Sequence, residues 1–128
     1  MIERIDHIVL TCRDLETTIA WYERVLGFQR EEFGPQRRTA LKFGRQKFNV
    51  RPVGSAGWRT ARQDAPGSLD LCFITEARLD DVIDRLRRCA VEFTGPSAQI
   101  GALGAMTSVY CSDPDGNLIE IASYEQPI

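Results

Sequence analysis

Residues 112–121 read SDPDGNLIEI. Asp113-Pro114-Asp115-Gly116 carries the marks of a turn, with Pro restricting φ and Gly accepting the left-handed position. Leu118, Ile119, Glu120 and Ile121 then form a strand candidate in which a carboxylate interrupts an apolar run. Side chains alternate along a strand, so Ile119 and Ile121 share one face while Leu118, Glu120 and Ala122 share the other. An inward carboxylate costs free energy unless it finds a partner. The function of Glu120 therefore turns on what else the chain brings to its face.

Upstream, one order of elements is written twice. IDHIVLTC (5–12) reads as a strand, Asp14 suits a helix N-cap, and Leu15, Ile19, Tyr22 and Leu26 form one apolar stripe that Gly27 ends. Strand candidates follow at FQREEF (28–33), TALKFG (39–44) and KFNVRPV (47–53). The order then recurs: a strand at SLDLCFIT (68–75), a helical stripe of Leu79, Val82, Ile83, Leu86 and Ala90, and strands at VEFTG, MTSVYCS and NLIEIASY, with a glycine-bearing loop SAQIGALGA (97–105) between. This predicts a single α+β domain over 1–128, built from paired βαβββ modules: about 1–54, a connection at about 55–67, and about 68–125. Neither module alone covers its sheet, so pairing them predicts a curved antiparallel cup with the helices outside.

Parity assigns faces in the other strands too. Ile5, His7, Val9 and Thr11 oppose Asp6, Ile8, Leu10 and Cys12; Lys47, Asn49 and Arg51 oppose Phe48 and Val50; Asp70, Cys72 and Ile74 oppose Leu69, Leu71 and Phe73. The duplication makes His7 correspond to Asp70 and Asn49 to Glu120. If a pseudo-twofold relates the modules, these four converge. One imidazole, one amide oxygen and two carboxylates would balance a divalent cation. Tyr110 lies on a face with Ser108 and Ser112.

Composition excludes several classes. A net charge of −2 and a pI near 5.4 offer no attraction to nucleic acid or to an anionic membrane. Charges at Glu3, Arg4 and Asp6 break any signal-peptide core, and no apolar run reaches membrane-spanning length, so a cytoplasmic location is expected. Cys12, Cys72, Cys89 and Cys111 form no C-x-x-C, which argues against a zinc ribbon or thioredoxin-type site.

DHIVLTCRDL (6–15), WYERVLGF (21–28) and DPDGNLIEI (113–121) resemble the vicinal oxygen chelate superfamily, the glyoxalase and bleomycin-resistance fold. FGRQKFNVRPVG (43–54), PGSLDLCFITE (66–76) and GALGAMTSVYCSDPDGNLIE (101–120) are similar to the glyoxalase domain-containing protein 5 group, which includes lactoylglutathione-lyase-like virulence proteins. The resemblance implies a metal on the cup floor, held at His7, Asn49, Asp70 and Glu120, and a homodimer. Asn49 stands where Glu, Gln or His is usual, Asp70 where His is usual, and Arg51 where relatives of the subgroup carry His.

Two functions fit these residues. One is a glyoxalase-like lyase or isomerase that abstracts a proton from a small oxygen-rich substrate with a divalent ion (Mg²⁺, Mn²⁺, Ni²⁺ or Zn²⁺), with Glu120 as ligand and base. In it, Arg51 and Tyr110 orient an anionic substrate and Cys72 lines its site. The other is a metal-free protein that sequesters a small molecule, with Arg51 pairing to Asp70 or Glu120 in the metal's place. With a single histidine, a two-His dioxygenase site is disfavoured.

Overall fold

The computed structural model describes residues 1–128. It divides into two compact units, Met1–Ser68 with Pro114–Gly116, and Leu69–Asp113 with Asn117–Ile128. The connection expected at 55–67 belongs to the first of them.

The first unit contains β1 (His7–Cys12), α1 (Leu15–Trp21) continuing into a π-helical turn (Tyr22–Leu26), β2 (Gln29–Phe33), β3 (Arg38–Phe43) and β4 (Gln46–Pro52). The Asp14 carboxylate accepts the Thr17 N–H at 2.9 Å, capping α1, and Gly27 at φ 71° ends the helical run. The strand order is β1-β4-β3-β2. The sheet is mixed where antiparallel pairing was expected, because β1 lies parallel to β4. The helix carries the chain back, so β2 starts in the direction of β1, and two hairpin reversals return β4 to that direction.

Leu10, Cys12, Leu41, Phe48 and Val50 are buried in the core with Ile19, Tyr22 and Val25 of the helical run. Aromatic rings organise its centre: Tyr22 meets Phe48 edge-on at 5.6 Å and Phe28 stacks on Phe43 at 4.5 Å. Leu15 and Leu26 of the expected stripe are only half-buried, and Thr18 and Val25 are the deeper residues.

The second unit repeats the pattern with β5 (Asp70–Ile74), α2 (Leu79–Arg88), β6 (Thr94–Gly101), β7 (Gly104–Ser112) and β8 (Leu118–Tyr124) in the order β5-β8-β7-β6. β5 is parallel to β8. Ile83 and Leu86 of α2 are buried, as are Val109, Cys111, Ile119 and Ile121. The stretch expected as a loop at 97–105 is instead mostly strand: Ala98 pairs with Thr107 and Ile100 with Ala105, leaving Ala102 and Leu103 to turn. The Leu103 N–H donates to the Tyr124 hydroxyl at 3.1 Å. Main-chain pairing at a sheet edge needs no apolar alternation, so the side chains gave no strand signal there.

The turn before β8 is held by buried polar bonds. Asp113 accepts the Asn117 N–H at 2.9 Å and its side-chain amide at 2.7 Å; the Asn117 amide oxygen in turn accepts the Leu69 N–H at 2.9 Å. Asp115 accepts the Arg13 N–H and guanidinium, both at 3.1 Å. Both acids of the turn are thus structural.

Asn117 is 1% exposed, so its loss strands buried donors and acceptors. Asn117→Ala is expected to cost roughly 2–3 kcal/mol in urea unfolding. Ala90, beyond the end of α2, sits at φ 56°, a conformation that favours glycine. Ala90→Gly is expected to add about 0.5–1 kcal/mol in the same assay.

Candidate active site

In the second unit the cross-strand register places Cys72, Glu120 and Tyr110 in one row, on β5, β8 and β7. The Ser108 hydroxyl, two residues from Tyr110 on the same face, donates to Glu120 Oε2 at 2.7 Å. Glu120 is half-buried. It is therefore a carboxylate met by three protic groups on its own sheet face.

The electrostatics follow from that contact. The Cys72 thiol is pushed up to about 11, first by desolvation among its sheet neighbours, then by the charge and hydrogen bonding of Glu120 and by Asp70. The Tyr110 hydroxyl is also raised, first by desolvation and then by Glu120. Both groups stay protonated near neutrality, so both are donors toward an anion and neither is a ready nucleophile. Asp70 lies one row away, paired in register with Leu118, and is exposed.

The first unit's corresponding face carries a different set. Asn49 pairs with Val9 on one side and Ala40 on the other. It is 8% exposed, and its side-chain oxygen has no hydrogen-bond donor. His7 lies in the adjacent row, opposite Lys47. Its Nδ1 meets the Asp6 carboxylate at 2.8 Å, and hydrogen bonding to the imidazole holds that carboxyl below the usual range.

Arg51 is buried, and its charge is paired while its Nε–H has no hydrogen-bond partner. The guanidinium donates to Asp64 at 2.5 Å and to the Ser55 carbonyl at 3.2 Å, and holds the Asp64 carboxyl below its ordinary value. This partner comes from the 55–67 connection and is neither Asp70 nor Glu120. Nothing local in the sequence marks Asp64 as its mate. Ser108, by contrast, was legible as a face-mate of Tyr110, though its bond to Glu120 was not.

Each unit thus sets two donors in adjacent rows of one face, His7 with Asn49 and Asp70 with Glu120. Nowhere in the chain do three or more His, Cys, Asp or Glu side chains gather into a group that could hold a metal ion.

A duplicated βαβββ unit with a polar sheet face in each copy defines a class of ligand-binding and catalytic domains. Residues 4–121 match the Glyoxalase/Bleomycin resistance protein/Dioxygenase superfamily, and the chain belongs to it. Virulence protein STM3117 of Salmonella typhimurium is 46% identical over 125 residues, covering 97% of this chain and 86% of that one. Glyoxalase domain-containing protein RDO1 of Mycosarcoma maydis is 40% identical over 125 residues, 97% of this chain and 70% of its own. Among solved structures, integron cassette protein VCH_CASS1 from V. cholerae superposes with a TM-score of 0.94 at 44% identity, covering 98% of both chains. More distant structures share the fold alone. Lactoylglutathione lyase from Agrobacterium tumefaciens has a TM-score of 0.73 at 22% identity, covering 96% of this chain and 95% of its own. TnmS3, an antibiotic binding protein from Streptomyces, has 0.76 at 22%, covering 97% and 98%. The fold thus occurs both in a protein named as a lyase and in one named as an antibiotic binding protein.

The raised Cys72 thiol makes a direct prediction. Its alkylation by iodoacetamide, followed by mass spectrometry of the Cys72 peptide, is expected to be slow at pH 7.5 and to accelerate with a midpoint near pH 11. In Glu120→Gln the midpoint is expected to fall toward the ordinary thiol value, because a repelling charge is gone. The sign for stability follows. The folded thiol titrates above the unfolded one, so its contribution is intact below about pH 8.5 and declines as pH climbs to about 11.

Proposed function

We propose that this protein is a glyoxalase-like lyase or isomerase that removes a proton from a small oxygen-rich substrate with the help of a divalent metal ion. The observation that carries the reading is the Glu120 carboxylate, half-buried and bonded by Ser108 at 2.7 Å beside the Tyr110 hydroxyl and Cys72 thiol.

The donor types are those of an ion site, although no three His, Cys, Asp or Glu side chains gather to hold one. The Asn49 side-chain oxygen is a buried acceptor without a donor, the kind of atom a cation would satisfy. His7 directs Nδ1 to a carboxylate, which leaves Nε2 for a metal, as in carboxylate–histidine–metal arrangements. By the family resemblance, His7 and Asn49 of the first unit and Asp70 and Glu120 of the second are the residues that would hold the ion. When bound, it supplies Lewis acidity that polarises substrate oxygens.

The protein's own groups do the rest. Glu120 receives the proton, its orientation set by the Ser108 hydroxyl. Tyr110, kept protonated, donates to an oxygen of the substrate that gains charge. Cys72 donates from the far side of the same row. Arg51, with Asp64 and Ser55, holds the connection in place beside the first unit's polar face.

The test is elemental analysis of protein purified without chelators, with thermal melting in EDTA and then in Mn²⁺, Ni²⁺ or Zn²⁺. About one ion per chain is expected in wild type and markedly less in Glu120→Ala or His7→Ala. An ion at one hundred times its dissociation constant adds about 2.7 kcal/mol of stability, which raises the melting point measurably. Glu120→Gln is expected to lower kcat by about 10²–10⁴-fold. Substoichiometric metal that Glu120→Ala leaves unchanged, with no thermal shift from any ion, overturns this function in favour of a metal-free sequestering protein.

A further inference from the structure

Residues 53–68, which follow β4 in the first unit, carry neither helix nor strand. An irregular segment longer than about 12–15 residues in a compact unit is commonly a lid or a binding loop. Its two ends are fixed. The Val53 N–H donates to the Cys12 carbonyl at 2.8 Å and the Ser55 N–H to the Pro52 carbonyl at 3.2 Å. At the other end Gly67, at φ 79°, lies so near the Asp115 carbonyl that a Cβ would strike it. Asp115 is itself bonded by Arg13.

Between those ends two arginines of the polar face fasten the segment. Arg51 donates to Asp64 and to the Ser55 carbonyl. Arg38 donates to the Gly57 carbonyl at 3.2 Å, and its guanidinium lies 4.2 Å from the centre of the Trp58 ring. Both arginines stand in the row next to that of Asn49 and Ala40. The segment has an inner and an outer side: Ser55, Trp58 and Asp64 are half-buried, whereas Ala56, Arg59, Arg62 and Gln63 are exposed. Gly54 and Gly57 take φ of 75° and 69° with open space about them, so the backbone can turn there without a clash. The clasp itself is imperfect. Arg51 is 5% exposed and its Nε–H is buried without an acceptor, while the Asp64 side chain stays 33% exposed. Taking a guanidinium out of water is offset only when its donors are met. Water that reaches Arg51 as the segment lifts satisfies the Nε–H, which narrows the free-energy gap between closed and open forms.

We propose that residues 54–66 form a gate over the Arg51 end of the first unit's polar face, latched by Arg51 with Asp64 and by Arg38 with Trp58, which lifts while the sheet beneath it stays folded. Lifting uncovers Arg51 and opens the way to the row of Asn49. The fixed ends keep the motion local, because Val53 and Gly67 hold their contacts while the segment between them swings. The gate needs neither an ion nor a proton transfer, so it stands apart from the function proposed above.

Phenylglyoxal, a reagent that adds to guanidinium groups, reads the gate directly. EDTA-treated protein is reacted at one pH and the modified sites are followed by peptide mass spectrometry, with Arg88, exposed on α2, as the internal reference. In folded wild type Arg51 is expected to react, at a rate about tenfold or more below that of Arg88. Asp64→Asn is expected to speed Arg51 by about tenfold or more and to leave Arg88 unchanged. Trp58→Ala, which keeps the ion pair, is expected to speed it by about threefold. Local opening exposes little surface, so the Arg51 rate is expected to stay flat up to about 2 M urea, whereas maleimide labelling of the buried Cys111 rises. Equal Arg51 rates in wild type and Asp64→Asn, or an Arg51 rate that climbs with urea as Cys111 labelling does, overturns the proposal. So does an Arg51 that never reacts in the folded protein. If Asp64→Asn does not fold, Trp58→Ala against wild type decides by the same criteria. A failed ion site leaves every one of these readings in force.

Discussion

The side-chain amide of Asn117 sets the geometry on which the candidate chemistry depends. It joins the Asp113 turn to the Leu69 main chain at the entrance of β5 and β8, with every bond shorter than 3 Å. Those bonds start the parallel ladder in one register, with Asp70 beside Leu118 and Cys72 beside Glu120. A slip of one residue would exchange the two faces of β8, sending Glu120 toward the core and Ile119 outward. Ile119 and Ile121, both buried, resist the same slip from the other side. The apolar face and the polar latch therefore enforce the same register, and the carboxylate is where it is because both agree.

The duplication gives each unit the same scaffold and different chemistry. Both have a parallel first and last strand, flanked by antiparallel hairpins, and a helix over the apolar face. On the polar face, the first unit carries Asn49 where the second carries Glu120, and Ala40 where the second carries Tyr110. One face is accordingly rich in cations with an unfilled oxygen acceptor. The other is a carboxylate surrounded by weak acids.

Glu120 sits among protic groups of its own sheet face. Its Ser108 contact fixes one oxygen, while Tyr110 and Cys72 are held protonated by desolvation and by its charge. Such neighbours stabilise negative charge without competing for the role of nucleophile. Cys111, a second thiol pushed up to about 11, owes its shift to burial and to Asp113 and faces the core. The two thiols share a number, but only the one beside Glu120 has access to a ligand.

Much of this was legible from residue order. The Asp14 cap, the Gly27 stop, the repeat of βαβββ and the face shared by Cys72 and Glu120 all follow from local periodicity, since a strand alternates and a helix recurs at fixed steps. The sequence by itself therefore determined the class of fold and the polar faces of its sheets. It placed the sixth strand at VEFTG, short of β6 (Thr94–Gly101), whose pairing is made by main chain at a sheet edge. It did not reveal the Arg51–Asp64 pair, the Ser108–Glu120 bond or the Lys47–Phe33 contact, each between residues whose separation carries no periodic signal. Those partners depend on which segments lie side by side and in what register, a property of the assembled sheet and its packing that local sequence does not carry.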